Sequence, residues 1–178
     1  GYKNIDIFWN VLSLNGFWGE RNGWANYFLW PQDNAFFWIS FVFIAILIVL
    51  GLKYALKSSK TRFLAVFVSI MSIFAFVFAT GAGSTIFQQF NIWLFENIPF
   101  WSGFRDSQKF SGILALGYAI LAGFGFQAVW EYLNNKNKNI LNVFLGFIFL
   151  IPIIFGSLVW GGFYKQVQAN WYPQSWFE

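Results

Sequence analysis

Cysteine and histidine are both missing from this 178-residue chain, and only 10% of its residues are charged. Each shortage excludes something. Without Cys there is no disulfide framework and no thiolate nucleophile. Without His there is no imidazole base and no ordinary zinc site, so no metal centre is expected. Carboxylates, Lys, Arg, Tyr and hydroxyls are the side chains left for chemistry, and nothing implies a cofactor. A soluble domain is about 25% charged, so the low charge here points away from water. A net charge of +4 is also a feature of nucleic-acid binders. The basic residues, however, lie in short segments between apolar runs and not on one face, and no nucleic-acid partner is expected.

What the chain has in abundance is long apolar sequence. Four runs, 34–52, 63–80, 110–130 and 139–164, contain no Asp, Glu, Lys, Arg or His. A membrane-crossing helix needs about 20 mostly apolar residues, and a buried helix of a soluble protein seldom carries more than about 14 in a row. The expected fold is therefore an all-α membrane protein with spans near 35–53, 63–80, 110–130 and 140–160. Phe fills the runs, while Trp30, Trp38, Trp93, Trp101, Trp130 and Trp160 fall where runs meet polar sequence. That is the placement of an interfacial aromatic belt.

Charge sets the expected orientation. The segment KYALKSSKTR carries Lys53, Lys57, Lys60 and Arg62 with no acid, and EYLNNKNKN sets Lys136 and Lys138 against Glu131. By the positive-inside rule both face the cytoplasm. Residues 1–33, the loop 81–109 and the segment 165–178 then lie outside, and both ends are extracytoplasmic. The first residues show neither the basic n-region nor the apolar h-region of a signal peptide. The expectation is a fragment of a longer membrane protein whose remaining helices are partners.

Two amphipathic helices are expected on the outer face. Ile5, Phe8, Trp9 and Leu12 follow i, i+3, i+4, i+7 spacing behind Asn4, which makes a short surface helix within 1–33. In the loop 81–109, Thr85 and Gln88 spell a capping box ahead of an apolar stripe of Ile86, Phe87, Phe90, Trp93 and Leu94, with Pro99 ending the helix.

The stretch PFWSGFRDSQKF that follows is the most charged part of the outer half. Asp106 or Ser107 can cap the third span, which puts Lys109 in its first turn and Arg105 just outside it. The helix dipole disfavours cations there. An anion between the two would reverse that, and in a membrane the natural anion is a phosphate, from a lipid headgroup or a polyprenyl-phosphate carrier. Arg105 and Lys109 are thus the candidate phosphate ligands, with Asp106, Glu96 and Trp101 as outer-loop contacts. The competing reading has both cations snorkelling to headgroups and pairing with Asp106 or Glu96. Within the third span, Ser111, Ala115, Ala119 and Gly123 recur every four residues and are the expected helix-packing stripe, which Gln127 and Glu131 continue toward the cytoplasmic end. Pro152 is expected to kink the fourth span, with Ser157 helping to satisfy the freed carbonyl.

The outer loop with its amphipathic helix, followed by P-F-W-S-G-F-R-D-S-Q-K-F leading into a Gly/Ala-rich span, resembles the later membrane helices of GT-C-type glycosyltransferases. These proteins use polyprenyl-phosphate sugars and include arabinofuranosyltransferase-like prokaryotic members. NVLSLNGFW and WYPQSW look similar to their outer loops. The resemblance implies a prokaryotic plasma-membrane protein of the cell envelope and an inverting sugar transfer at the outer face. It also implies a base carboxylate in an early loop that no Asp or Glu here matches, so catalytic residues are not assigned. Two other function classes stand beside it. A transporter or channel segment wants ionisable groups at mid-membrane, which the four runs lack. A structural or assembly membrane protein needs no chemistry at all.

Overall fold

A computed structural model describes residues 7–14, 35–83, 85–104 and 109–155. Among them every regular element is helical: α1 (Ile7–Leu12), α2 (Ala35–Lys57), α3 (Ser59–Thr80), α4 (Gln88–Asn97), α5 (Phe110–Lys136) and α6 (Lys138–Phe155). Short 3-10 turns lie at Gly81–Gly83 and Trp101–Phe104. Three helices are long and apolar enough to cross a membrane, namely α2, α5 and α3 with its trailing turn. These fit an integral membrane protein. The expected fourth span corresponds to α6, which has 18 residues among those described. The rest of that run, with Ser157, lies outside the described residues, as does the expected outer segment 165–178.

Both basic segments were expected to be loops, and both are almost entirely helix. Lys, Ala, Leu and Tyr continue α2 through Lys57, because these side chains cost little in a helix. The break is Ser58 alone, extended at φ −97 and ψ 129. Asn137 makes the second break, and its Oδ1 accepts from the Asn139 and Ile140 amides at 3.0 and 3.2 Å, capping α6. Each pair of helices is thus joined by a single non-helical residue.

The central contact is between α2 and α5, which run parallel, with α3 packed antiparallel against both. Ala55, Ala65, Val68 and Leu121 form a buried cluster under Ile48, Leu52, Ile120 and Phe124. At its heart, side chains are nearly absent. A Cβ on Gly51 would strike the Leu121 carbonyl and come within 2.6 Å of the Gly125 nitrogen, while one on Gly125 would strike the Leu47 carbonyl. Gly117 meets the Ser72 side chain of α3 in the same way. Close approach of this kind lets packing and weak Cα–H···O contacts join helices that have no hydrophobic advantage over lipid.

The packing stripe of α5 is accordingly Leu114, Gly117, Leu121 and Gly125, all buried. The expected stripe lies about 135° around the helix. Ser111 and Ala115 are half-buried, whereas Ala119 and Gly123 are exposed, and a Cβ on Gly123 would meet nothing within 4 Å. Small size alone did not mark the seam, because its two leucines supply the bulk that flanks each glycine. α6 joins through rings: Phe147 meets Phe36 and Phe43 of α2, and Phe144 meets Phe43 of α2 and Phe126 of α5. Pro152 lies inside α6, where it removes one backbone donor.

Candidate functional site

The end of the bundle where α3 finishes and α5 begins is built from rings. Phe78, near the C-terminus of α3, lies 5.1 Å from Trp101 and 5.2 Å from Phe110, the first residue of α5. Trp101 and Phe110 stack on one another at 6.4 Å. The same Phe78 stacks with Phe90 of α4 at 6.5 Å, and Phe90 continues onto Trp93. Offset and edge-to-face pairs of this kind are each worth about 0.5–1.5 kcal/mol beyond their buried area. The cluster fixes three elements together: the end of α3, the helix α4 and the start of α5.

α4 is held against α3 by one polar side chain. Asn91 is buried and donates from Nδ2 to the Val77 carbonyl at 3.2 Å and to the Phe87 carbonyl at 3.0 Å. Thr80, fully buried, donates from Oγ1 to the same Val77 oxygen at 2.7 Å. The last carbonyls of a helix have no partner within it, so Asn91 and Thr80 complete the end of α3. Asn91, a polar residue among the apolar positions of α4, is buried together with Leu94. Of the expected apolar stripe, Ile86, Phe90 and Trp93 are exposed and Leu94 is buried. The capping box is absent too: α4 begins at Gln88 with Phe87 at the N-cap and no side-chain cap bond. Beyond Pro99 the chain reverses at Phe100, which takes a φ of 66 and stands 90% exposed.

Of the proposed phosphate ligands, Lys109 is exposed and occupies the residue before α5, one position earlier than a first-turn placement. Arg105 and Asp106 lie outside the described residues, as does Ser107. Trp101 is half-buried in the ring cluster, and Glu96 is exposed on α4. The structure therefore brings together the residues flanking the F-R-D-S-Q-K motif, Trp101 and Phe110, by their ring stack. The small α1 docks at this end as well. Phe8 meets Phe76 of α3, Trp9 meets Trp38 of α2, and the Tyr118 hydroxyl of α5 donates to the Leu12 carbonyl at 3.0 Å. Asn4 and Ile5 of the expected α1 pattern lie outside the described residues.

At the opposite end a second polar group had only half a signal in the sequence. Glu131 Oε1 accepts from the Tyr54 hydroxyl of α2 at 2.8 Å and from Gln127 Nε2 at 3.0 Å. The i, i+4 spacing of Gln127 and Glu131 was legible. Tyr54 was not, because its partner lies in a helix far along the chain. Among the described residues no group of three or more Asp or Glu could hold a metal ion, and no buried side-chain nitrogen or oxygen lacks a hydrogen-bond partner.

Comparisons with protein-family models, with curated proteins and with solved structures return no match. The likeness to lipid-linked-sugar transferases thus rests on the residues quoted for it.

Proposed function

We propose that this chain is part of an integral membrane protein that engages the phosphate of a lipid-linked sugar at the outer membrane face, as a component of a polyprenyl-phosphate-dependent glycosyltransferase. The observation that supports it most is the stacking of Trp101 on Phe110 at 6.4 Å, which brackets the F-R-D-S-Q-K motif at one end of the bundle. Lys109 stands exposed beside that bracket, and α4 lies across the same end with its rings outward. In this reading α6 is the fourth span, the basic end is cytoplasmic, and α1 and α4 are interfacial helices. The chain's contribution is binding and placement of the lipid phosphate, with Arg105 supplying a fork and Lys109 a point charge.

Arg105→Ala and Lys109→Ala in the full-length protein, reconstituted in proteoliposomes, test this. Each should weaken polyprenyl-phosphate binding about tenfold, or roughly 1.4 kcal/mol. Arg105→Lys should restore part of the loss, since charge survives while the planar fork does not. Normal insertion with unchanged binding in both alanine variants would leave the cations as headgroup anchors and end the proposal. Orientation is checked separately by a Cys at Ser58, which an impermeant maleimide should not reach from outside.

A further inference from the structure

We propose that the basic end of the bundle is a docking surface for an acidic phospholipid, with its headgroup at Lys57, Lys60 and Arg62 and an acyl chain along the exposed rings of α3. Two basic turns distant in sequence meet at this end. The Tyr54–Glu131 hydrogen bond of 2.8 Å ties the last turns of α2 to those of α5. Lys53, Lys57, Lys60 and Arg62 from one hairpin therefore share an end with Lys136 and Lys138 from the other, all exposed. The acid among the described residues of this end is Glu131, and its Oε1 already accepts from Tyr54 and Gln127. The excess of positive charge is large, and an anion is its complement.

Placement is what selects a lipid over a soluble anion. Lys57, Lys60, Arg62 and Lys136 occupy the first and last turns of span-length helices, the depth of headgroups. The Arg62 Nε donates to the Leu56 carbonyl at 2.9 Å, which fixes the stem of the guanidinium across the α2–α3 turn. On the same helix face as Lys60, three residues on, Phe63 is 81% exposed, and its ring stacks at 6.4 Å on Phe67. Ile70 and Phe74 continue the exposed track along α3. An acidic head above an apolar track is the shape of a phospholipid and of no soluble phosphate. The site rests on charge and apolar continuity at this end, and so stands or falls apart from the outer phosphate reading.

The purified full chain, titrated with short-chain phosphatidylglycerol and phosphatidylcholine and followed by native mass spectrometry, provides the test. Phosphatidylglycerol should bind about tenfold more tightly, and the preference should shrink as salt rises, since screening weakens exposed charge pairs. The triple variant Lys57→Gln, Lys60→Gln, Arg62→Gln should lose most of the preference. The pair Phe63→Ser, Phe67→Ser should weaken both lipids alike. Equal binding of the two lipids by wild type, or a preference indifferent to salt, overturns the proposal even if the triple variant fails to fold. So does displacement of the lipid by glycerol phosphate at equal concentration, which would make the surface a soluble-anion site.

Discussion

The middle of the bundle and its ring-lined end solve the same problem in opposite ways. Between α2 and α5, Gly51 and Gly125 remove side chains so that one backbone rests on the other. At the ring-lined end, Phe78 collects Phe90, Trp101 and Phe110, among the largest side chains available. In lipid, apolar contact between helices gains little over contact with acyl chains, so close backbone approach is worth more than bulk. Near the interface water returns as the competitor. There large rings gain from burial, and the end of α3 leaves carbonyls without partners in their own helix, which is where Asn91 and Thr80 act.

The sharpest way to break the contrast is at the seam. Gly125→Leu should cost about 3 kcal/mol or more, since overpacking against a backbone carbonyl cannot be relieved by moving a side chain. Reversible unfolding in mixed micelles would measure it, and Gly123→Leu on the exposed face of the same helix should cost little. If the two variants behave alike, the seam is misplaced. At the ring-lined end, Phe78→Ala should cost about 2 kcal/mol, below the 3–5 of a fully buried Phe because this ring is half-buried. It should also loosen α4, seen as faster amide exchange over Gln88–Asn97. Asn91→Ala removes two hydrogen bonds but leaves Val77 its Thr80 donor, so a loss of about 1–2 kcal/mol is expected in the same assay. Tyr54→Phe should have the smallest effect, because its hydrogen bond to Glu131 is exposed. It should leave the unfolding midpoint near wild type and raise exchange only in the last turn of α2.

How much of this was legible follows the same physics. Apolar run length gave α2, α3 and α5 plainly, because crossing a bilayer is a one-dimensional requirement. Helix ends were less legible: Lys53, Lys57 and Lys136 read as loop, yet each continues a helix, since charge at the interface does not oppose helix formation. The face of α5 was misread because spacing of small residues cannot say which neighbour approaches. Ala119 and Gly123 fit the pattern as well as Gly117 and Gly125 do, and only the positions of Ser72 on α3 and of Leu47 and Gly51 on α2 decide between them. The burial of Asn91 was not legible, because its partner is a carbonyl at the end of another helix, and backbone acceptors leave no trace in sequence.

The parallel pairing of α2 with α5 has a consequence for biogenesis. Helices adjacent in a chain usually settle against each other, and α3 follows α2 after a single residue, yet the glycine seam of α2 belongs to α5. Gly51 and Gly125 lie 74 residues apart, so at about 5–20 residues per second the nascent α2–α3 hairpin waits about 4–15 seconds for its main partner. During that interval the bare backbone around Gly51 faces whatever is nearby, lipid or another nascent helix. The two halves of the seam are thus made at different times, and the close backbone contact forms only once α5 has followed.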